Sequence, residues 1–168
     1  MIGAIHVANS FLLKAKKENI GVTPRKLYSL VYLLYSNILY KYGTKLFNEP
    51  FQITDEGPIV PSLYYKFNSY GNKKIKSYAS NAFGETFYVN NENFNKCLNE
   101  IWFQYKDYTE NELFTIVTSD NSAYNKARIN NILILNDSDI LSDEISKNEE
   151  MLERAKSLKI KFSGLNGR

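Results

Sequence analysis

One cysteine, one histidine and one tryptophan are all that this 168-residue chain holds of three chemically telling residue types, and it has only four prolines. Cys97 alone excludes an intramolecular disulfide, and its helical neighbours Phe94, Leu98 and Ile101 mark it as a buried thiol serving as a small hydrophobe. His6 alone removes any multi-histidine metal site, and with a single cysteine no structural zinc cluster can be assembled, so neither a metal nor a cofactor is expected. Neither G-x-x-x-x-G-K-[ST] nor G-x-G-x-x-G occurs, which removes the usual phosphate loops. A triad of nucleophile, base and orienter would have to use His6, which sits among small and polar residues near the amino end, so no catalytic residue is expected and the chain reads as a non-enzyme. Long apolar runs are missing too: nothing approaches the roughly 18 residues that span a bilayer. The opening MIGAIHVANSFLLKAKK has neither a basic region ahead of its apolar residues nor a small-residue cleavage site, which predicts a soluble, cytoplasmic protein with no membrane partner.

What is present reads as one domain, expected over residues 1–162 with 163–168 as a flexible tail. The net charge of +3 conceals an asymmetry, with 11 Lys and Arg against 4 Asp and Glu in residues 1–80, and 10 against 14 in residues 81–168. The basic residues are scattered, so nucleic acid is not expected as a partner.

The spacing predicts a mainly α fold with a small β-hairpin, a compact helical domain around a central hydrophobic helix at about residues 24–42. A first helix over residues 2–17, with Ile5, Ala8, Leu12 and Ala15 on one stripe, reads as a one-faced surface helix. Thr23 is a fitting N-cap, Pro24 suits the first helical position, and Gly43 closes the central helix. Its stripe of Leu27, Leu30, Val31, Leu34 and Ile38 is joined by Tyr28, Tyr32, Tyr35 and Leu39, which makes it apolar nearly all round, as a buried helix must be. Residues 44–60 read as a loop with one short strand, Pro61 starts a helix ending at Gly71, and residues 73–90 read as a β-hairpin turning near Phe83-Gly84. A helix from Asn91 carries Phe94, Leu98, Ile101, Trp102 and Tyr105 on one face, and Thr109-x-x-Glu112 is a capping box for the next, which buries Leu113, Ile116 and Val117. The stretch TSDNSAYNKARINN reads as a polar turn or short helix. A charged amphipathic helix over residues 139–161 follows, with Met151, Ala155, Leu158 and Phe162 on its stripe and Glu150 paired to Arg154.

Two carboxylates, Asp55 and Glu56, invite an acid and base reading. Adjacent loop residues rarely converge on one substrate, and Pro58 and Pro61 point instead to a rigid corner. The cluster Lys73-Lys74-x-Lys76 reads as a solvated face. Of the thirteen tyrosines, Tyr28, Tyr32 and Tyr35 fall in the core, whereas Tyr64, Tyr65, Tyr70 and Tyr124 lie beside polar loops and are candidates for a partner surface.

Several stretches together resemble the Panacea domain, a SocA-like, phage-associated family. They are A-N-x-F-L from Ala8, T-P-x-K-L from Thr23, Y-G-x-x-L-F-x-E-x-F from Tyr42 and G-P-x-V-P-x-L-Y-x-x-F from Gly57, within residues 8–75. Further on the likeness loosens: Ser119 stands where the family carries histidine, Ala123 for its proline and Tyr124 for its tryptophan, while Thr118, Ala127 and Arg128 keep the pattern. The resemblance implies a mostly helical domain of toxin–antitoxin systems and mobile genetic elements that acts by binding proteins. The function it implies is antitoxin by direct occlusion of a toxin. The alternatives are a proteolytic adapter and an effector that inhibits a host defence protein. On that reading the partner surface comprises Asp55, Glu56, Gly57, Pro58, Val60, Pro61 and Tyr64, with Ser119, Asp120 and Tyr124 beside them.

Overall fold

In the computed structural model, which describes residues 2–143, helix α1 (Ala4–Glu18) opens the chain. Its first turn is tied down twice: His6 Nδ1 accepts the Gly3 N–H at 3.0 Å, and Glu49 Oε1 accepts the Ala4 N–H at 2.8 Å. Of the expected stripe Ala8, Leu12 and Ala15 are buried and Ile5 is half-buried, but α1 is not a one-faced surface helix, because Asn9 and Ser10 are buried as well.

A strap made of residues 73–90 covers them. Asn9 donates to the carbonyls of Ala79 at 2.8 Å and Phe87 at 3.1 Å and accepts the Ala79 N–H at 2.9 Å, while Ser10 Oγ accepts the Val89 N–H at 3.1 Å. The hairpin expected at 73–90 therefore does not form. Only its turn is present, with the Gly84 N–H donating to Asn81 O at 3.0 Å and the Asn81 N–H to Glu85 O at 2.9 Å. Backbone groups that a ladder would have paired with each other bond to side chains of α1 instead.

Helix α2 (Pro24–Tyr42) begins and ends as its sequence directs. Thr23 Oγ1 accepts the Lys26 N–H, and Gly43 closes the last turn at φ 62° with its N–H on Leu39 O, a left-handed conformation that glycine adopts without steric cost. Every residue from Lys26 to Leu39 is buried, as an all-round apolar helix requires.

Among the described residues the hairpin lies instead in the stretch expected to be a loop with one short strand. Strand β1 (Phe51–Thr54) pairs antiparallel with β2 (Gly57–Ile59), with Thr54 opposite Gly57, so Asp55 and Glu56 form a two-residue turn. Helix α3 (Pro61–Phe67) follows at once and runs into a 3₁₀ turn, Asn68–Tyr70. After the strap come α4 (Glu92–Tyr105), α5 (Glu110–Val117) with the expected Thr109–Glu112 capping box, and the short α6 (Ala123–Ile129). Strand β3 (Ile134–Leu135) adds to the other side of β1 to give the order β2-β1-β3, and α7 (Asp137–Leu141) ends the described chain.

The architecture is thus mainly α with a small antiparallel sheet, and α1, α4, α5, α7 and β2 all pack on α2. Trp102, Phe11, Phe51, Phe67 and Leu113 are among its fully buried side chains, each contributing about 2 kcal/mol or more by leaving water. Of the helix expected over 139–161 only the first residues are described, and there α7 starts earlier, at Asp137, and closes at Leu141 with Ser142 as its cap. The remainder, including Met151, Ala155, Leu158, Phe162, the Glu150–Arg154 pair and the 163–168 tail, lies outside the described residues. Among the described residues no helix is long and apolar enough to cross a membrane.

Candidate functional site

The acidic pair Asp55-Glu56 forms the exposed turn of the β1–β2 hairpin, whose strands are held by contacts beneath it. Phe51, at the start of β1, meets the rings of Tyr32 and Tyr35 edge-on, both with centroids 5.1 Å away, which fixes the strand to α2. At the far end Thr54 Oγ1 donates to Gly57 O at 3.0 Å and accepts the Glu56 N–H at 3.2 Å. Gly57 has φ 105°, where a side chain is strained. A Cβ there would make only ordinary contacts with Phe114 and Val117 of α5 at 3.8 Å, so backbone conformation, not space, calls for glycine.

From the opposite side, Tyr124 of α6 donates to the Thr54 carbonyl at 2.7 Å, and Arg128 brings its guanidinium to 3.9 Å from the Asp55 carboxylate. The turn between α5 and α6 is held just as firmly. Thr118 Oγ1 donates to Phe114 O at 2.6 Å, Ser122 Oγ caps α6 by accepting the Asn125 N–H at 3.0 Å, and the Asn125 amide donates to Asp120 O at 3.0 Å.

These contacts separate the predicted surface residues into two groups. Asp55, Glu56, Tyr64, Ser119 and Asp120 are exposed and Pro61 is half-buried, whereas Gly57, Pro58, Val60 and Tyr124 are buried and act as the frame beneath. The correction is clearest for Tyr124, whose ring is interior and whose hydroxyl serves the hairpin. Tyr65, 80% exposed, is the most open tyrosine of this region, while Tyr70 is half-buried with its hydroxyl 2.9 Å from Ser77 Oγ.

Between the tip and α3 lies a shallow groove of about 430 Å³ lined by Gln52, Thr54, Asp55, Glu56, Ile59, Pro61, Tyr64 and Tyr65. Tyr64 and Tyr65 stand edge to face with centroids 6.1 Å apart. Among the described residues no three of His, Cys, Asp and Glu gather into a group able to hold a metal ion.

The three core tyrosines of α2 differ at their hydroxyls, a distinction that apolar spacing does not reveal. Tyr32 donates to the buried Asp143 at 3.1 Å and Tyr35 to Asp137 at 2.7 Å. Burial raises both hydroxyls above the ordinary tyrosine range, with their aspartate partners adding to it. Tyr28 is equally buried, yet its hydroxyl has no hydrogen-bond partner among the described residues. Its pKa also lies above the ordinary range, chiefly through burial, with Glu56 and then Tyr64 contributing. Asp143 was not foreseen from sequence: it accepts from Tyr32 and from the Ala123 N–H at 3.0 Å, joining the chain beyond α7 to α2 and α6.

The short motifs that suggested a family turn out to be mainly scaffold. Asn9 clamps the strap; Leu46, Phe47 and Phe51 are core; Glu49 receives the Ala4 N–H and the Ser62 hydroxyl, tying α1 to α3; and Leu63 and Phe67 seat α3. Neither a curated protein nor a solved structure shows significant similarity to the chain. The family model for the antitoxin SocA-like, Panacea domain matches residues 27–125, from the central helix through the acidic hairpin to the first residues of α6. That span is more than half of the 168 residues, and the chain belongs to this family.

Proposed function

We propose that this protein is a non-enzymatic antitoxin that neutralises a toxin by covering it, through the surface formed by the Asp55-Glu56 tip, Tyr64, Tyr65 and the Ser119-Asp120 turn. The observation that carries this reading is the contrast between an exposed tip and its buried, hydrogen-bonded frame. Asp55 projects with its side chain 99% exposed, while Phe51, Gly57 and Tyr124 hold the strands below it. A preformed surface loses little freedom on association, so more of its contact energy goes into affinity. Solvent-bathed adjacent carboxylates suit recognition of a charged partner better than acid and base chemistry, which calls for desolvated or opposed groups. Family membership supports a protein as the partner in general.

The test is co-expression with the toxin encoded beside the gene. Growth should be restored and the two chains should co-purify, at an unchanged toxin half-life. A shortened half-life would indicate delivery to a protease, and failure to bind the neighbouring product would refute the reading.

A further inference from the structure

We propose that the outer edge of β3 is a self-association surface, through which two copies of this chain pair antiparallel about a two-fold axis at Ile134. This is independent of the antitoxin reading.

The sheet has the order β2-β1-β3, so β3 has β1 on one side only. The register decides which of its main-chain groups are left over. Leu135 lies opposite Phe51 and Ile134 opposite Gln52, and the Leu133 carbonyl accepts the Ile53 N–H at 2.9 Å. Antiparallel ladders alternate, so the Leu133 carbonyl and the main-chain groups of Leu135 turn toward β1, and those of Ile134 turn away from it. A donor and an acceptor therefore stand together on the open edge, as a further strand requires.

The side chains around them are apolar and reach into water: Ile129 is 70% exposed, Leu133 74%, Ile134 51% and Ile132 42%. Edges of this kind are usually blunted by a lysine, a proline or a covering element. Residues 129–136, Ile-Asn-Asn-Ile-Leu-Ile-Leu-Asn, contain neither charge nor proline.

Charge decides the occupant. Near the axis of a two-fold pair each residue meets itself or a close neighbour, so a self-pairing edge must be uncharged at its centre, as residues 129–136 are. Further out, antiparallel pairing sets the start of one copy's stretch against the end of the other's. Lys126 precedes the stretch and Asp139 follows it, both without an ion pair among the described residues. Arg128 and Asp137, nearer the strand, already face Asp55 at 3.9 Å and Lys45 at 3.1 Å. Opposite signs thus meet at both ends, whereas a foreign strand chosen by charge finds none on this edge to read. One pair of main-chain hydrogen bonds and four apolar side chains from each copy make a small, reversible contact, so dissociation in the micromolar range is expected.

The test follows the full-length protein by sedimentation velocity from low to high micromolar concentration. The mass should rise from 19.4 kDa toward twice that value, and amide exchange at Ile134 should slow in step. Ile134→Lys puts like charges together at the axis and should weaken the dimer about tenfold or more at unchanged Tm. Ile134→Glu should do the same, and an equimolar mixture of the two variants should dimerise again. That rescue separates pairing at Ile134 from general adhesion of apolar surface. A protein that stays monomeric throughout the series, its edge free or covered by residues 144–168, would overturn the proposal. So would assembly that continues past two copies, a mixture that fails to dimerise although both variants fold, or Ile134 exchange that ignores concentration. Exchange at Ile134 that slows only when the neighbouring toxin is added would give the edge to the toxin and overturn it equally.

Discussion

The hydroxyl of Tyr124 donates a 2.7 Å hydrogen bond to the carbonyl of Thr54, joining α6 to the strand that ends in the acidic tip. Two chain segments 70 residues apart are held together there, which makes the hairpin and the α5–α6 turn one continuous surface. Tyr124→Phe keeps the ring and removes the bond. It should cost about 1 kcal/mol in urea unfolding and speed amide exchange at Glu56 and Gly57. Unchanged exchange at the tip would mean that the bond does not brace it.

Tyr28→Phe should act in the opposite sense. Its hydroxyl is buried without a partner, so removing the oxygen should raise stability by about 1 kcal/mol. Tyr32→Phe should lower it, because the carboxylate of Asp143 then loses a donor in the interior. The pair of unfolding curves decides whether the three tyrosines differ as described.

Asn9 holds the strap by three hydrogen bonds, two donated and one accepted. Asn9→Ala should cost about 2 kcal/mol or more and open residues 73–90 to limited proteolysis. Resistance of that segment to cleavage in the variant would show that apolar contacts alone keep it in place.

The capping box of α5 gives a pH signature. The Glu112 carboxyl lies below its ordinary value of 4.5, first through the Thr109 N–H at 2.7 Å and then through the Thr109 side chain. The unfolded chain binds this proton more readily, so the stabilisation is complete above the ordinary value and is lost as pH falls through the folded one. Glu112→Gln should therefore lower Tm near pH 7, and the difference from the parent should shrink progressively as pH falls below the ordinary carboxylate value. A constant Tm difference across that range would contradict the assignment.

The elements legible in sequence are those with local causes. Thr23-Pro24 and Gly43 bounded α2, and Thr109 with Glu112 opened α5, because capping is decided within a few residues. The hairpin was misplaced for a tertiary reason. Proline argues against a strand, yet Pro58 sits on β2, at the edge of the sheet, where its missing N–H costs no ladder bond. The decisive signal was available in Asp55-Glu56-Gly57, a two-residue turn closed by a glycine of positive φ. Residues 73–90 misled because their bonding partner is α1, far away in sequence. In the site, exposure of Asp55, Glu56 and Tyr64 followed from the polar corner. The interior placement of Tyr124 and the service of Asp143 to Tyr32 depend on contacts 70 and 111 residues long, which no local pattern encodes.

The most direct measurement compares growth rescue by the parent and by a Glu56→Lys, Tyr65→Asp double variant, each co-expressed with the neighbouring toxin. Both substitutions lie on exposed side chains, so the variant should keep the parent's Tm while losing rescue and co-purification. Rescue undiminished in a folded variant, or a parent that never restores growth, would contradict the account.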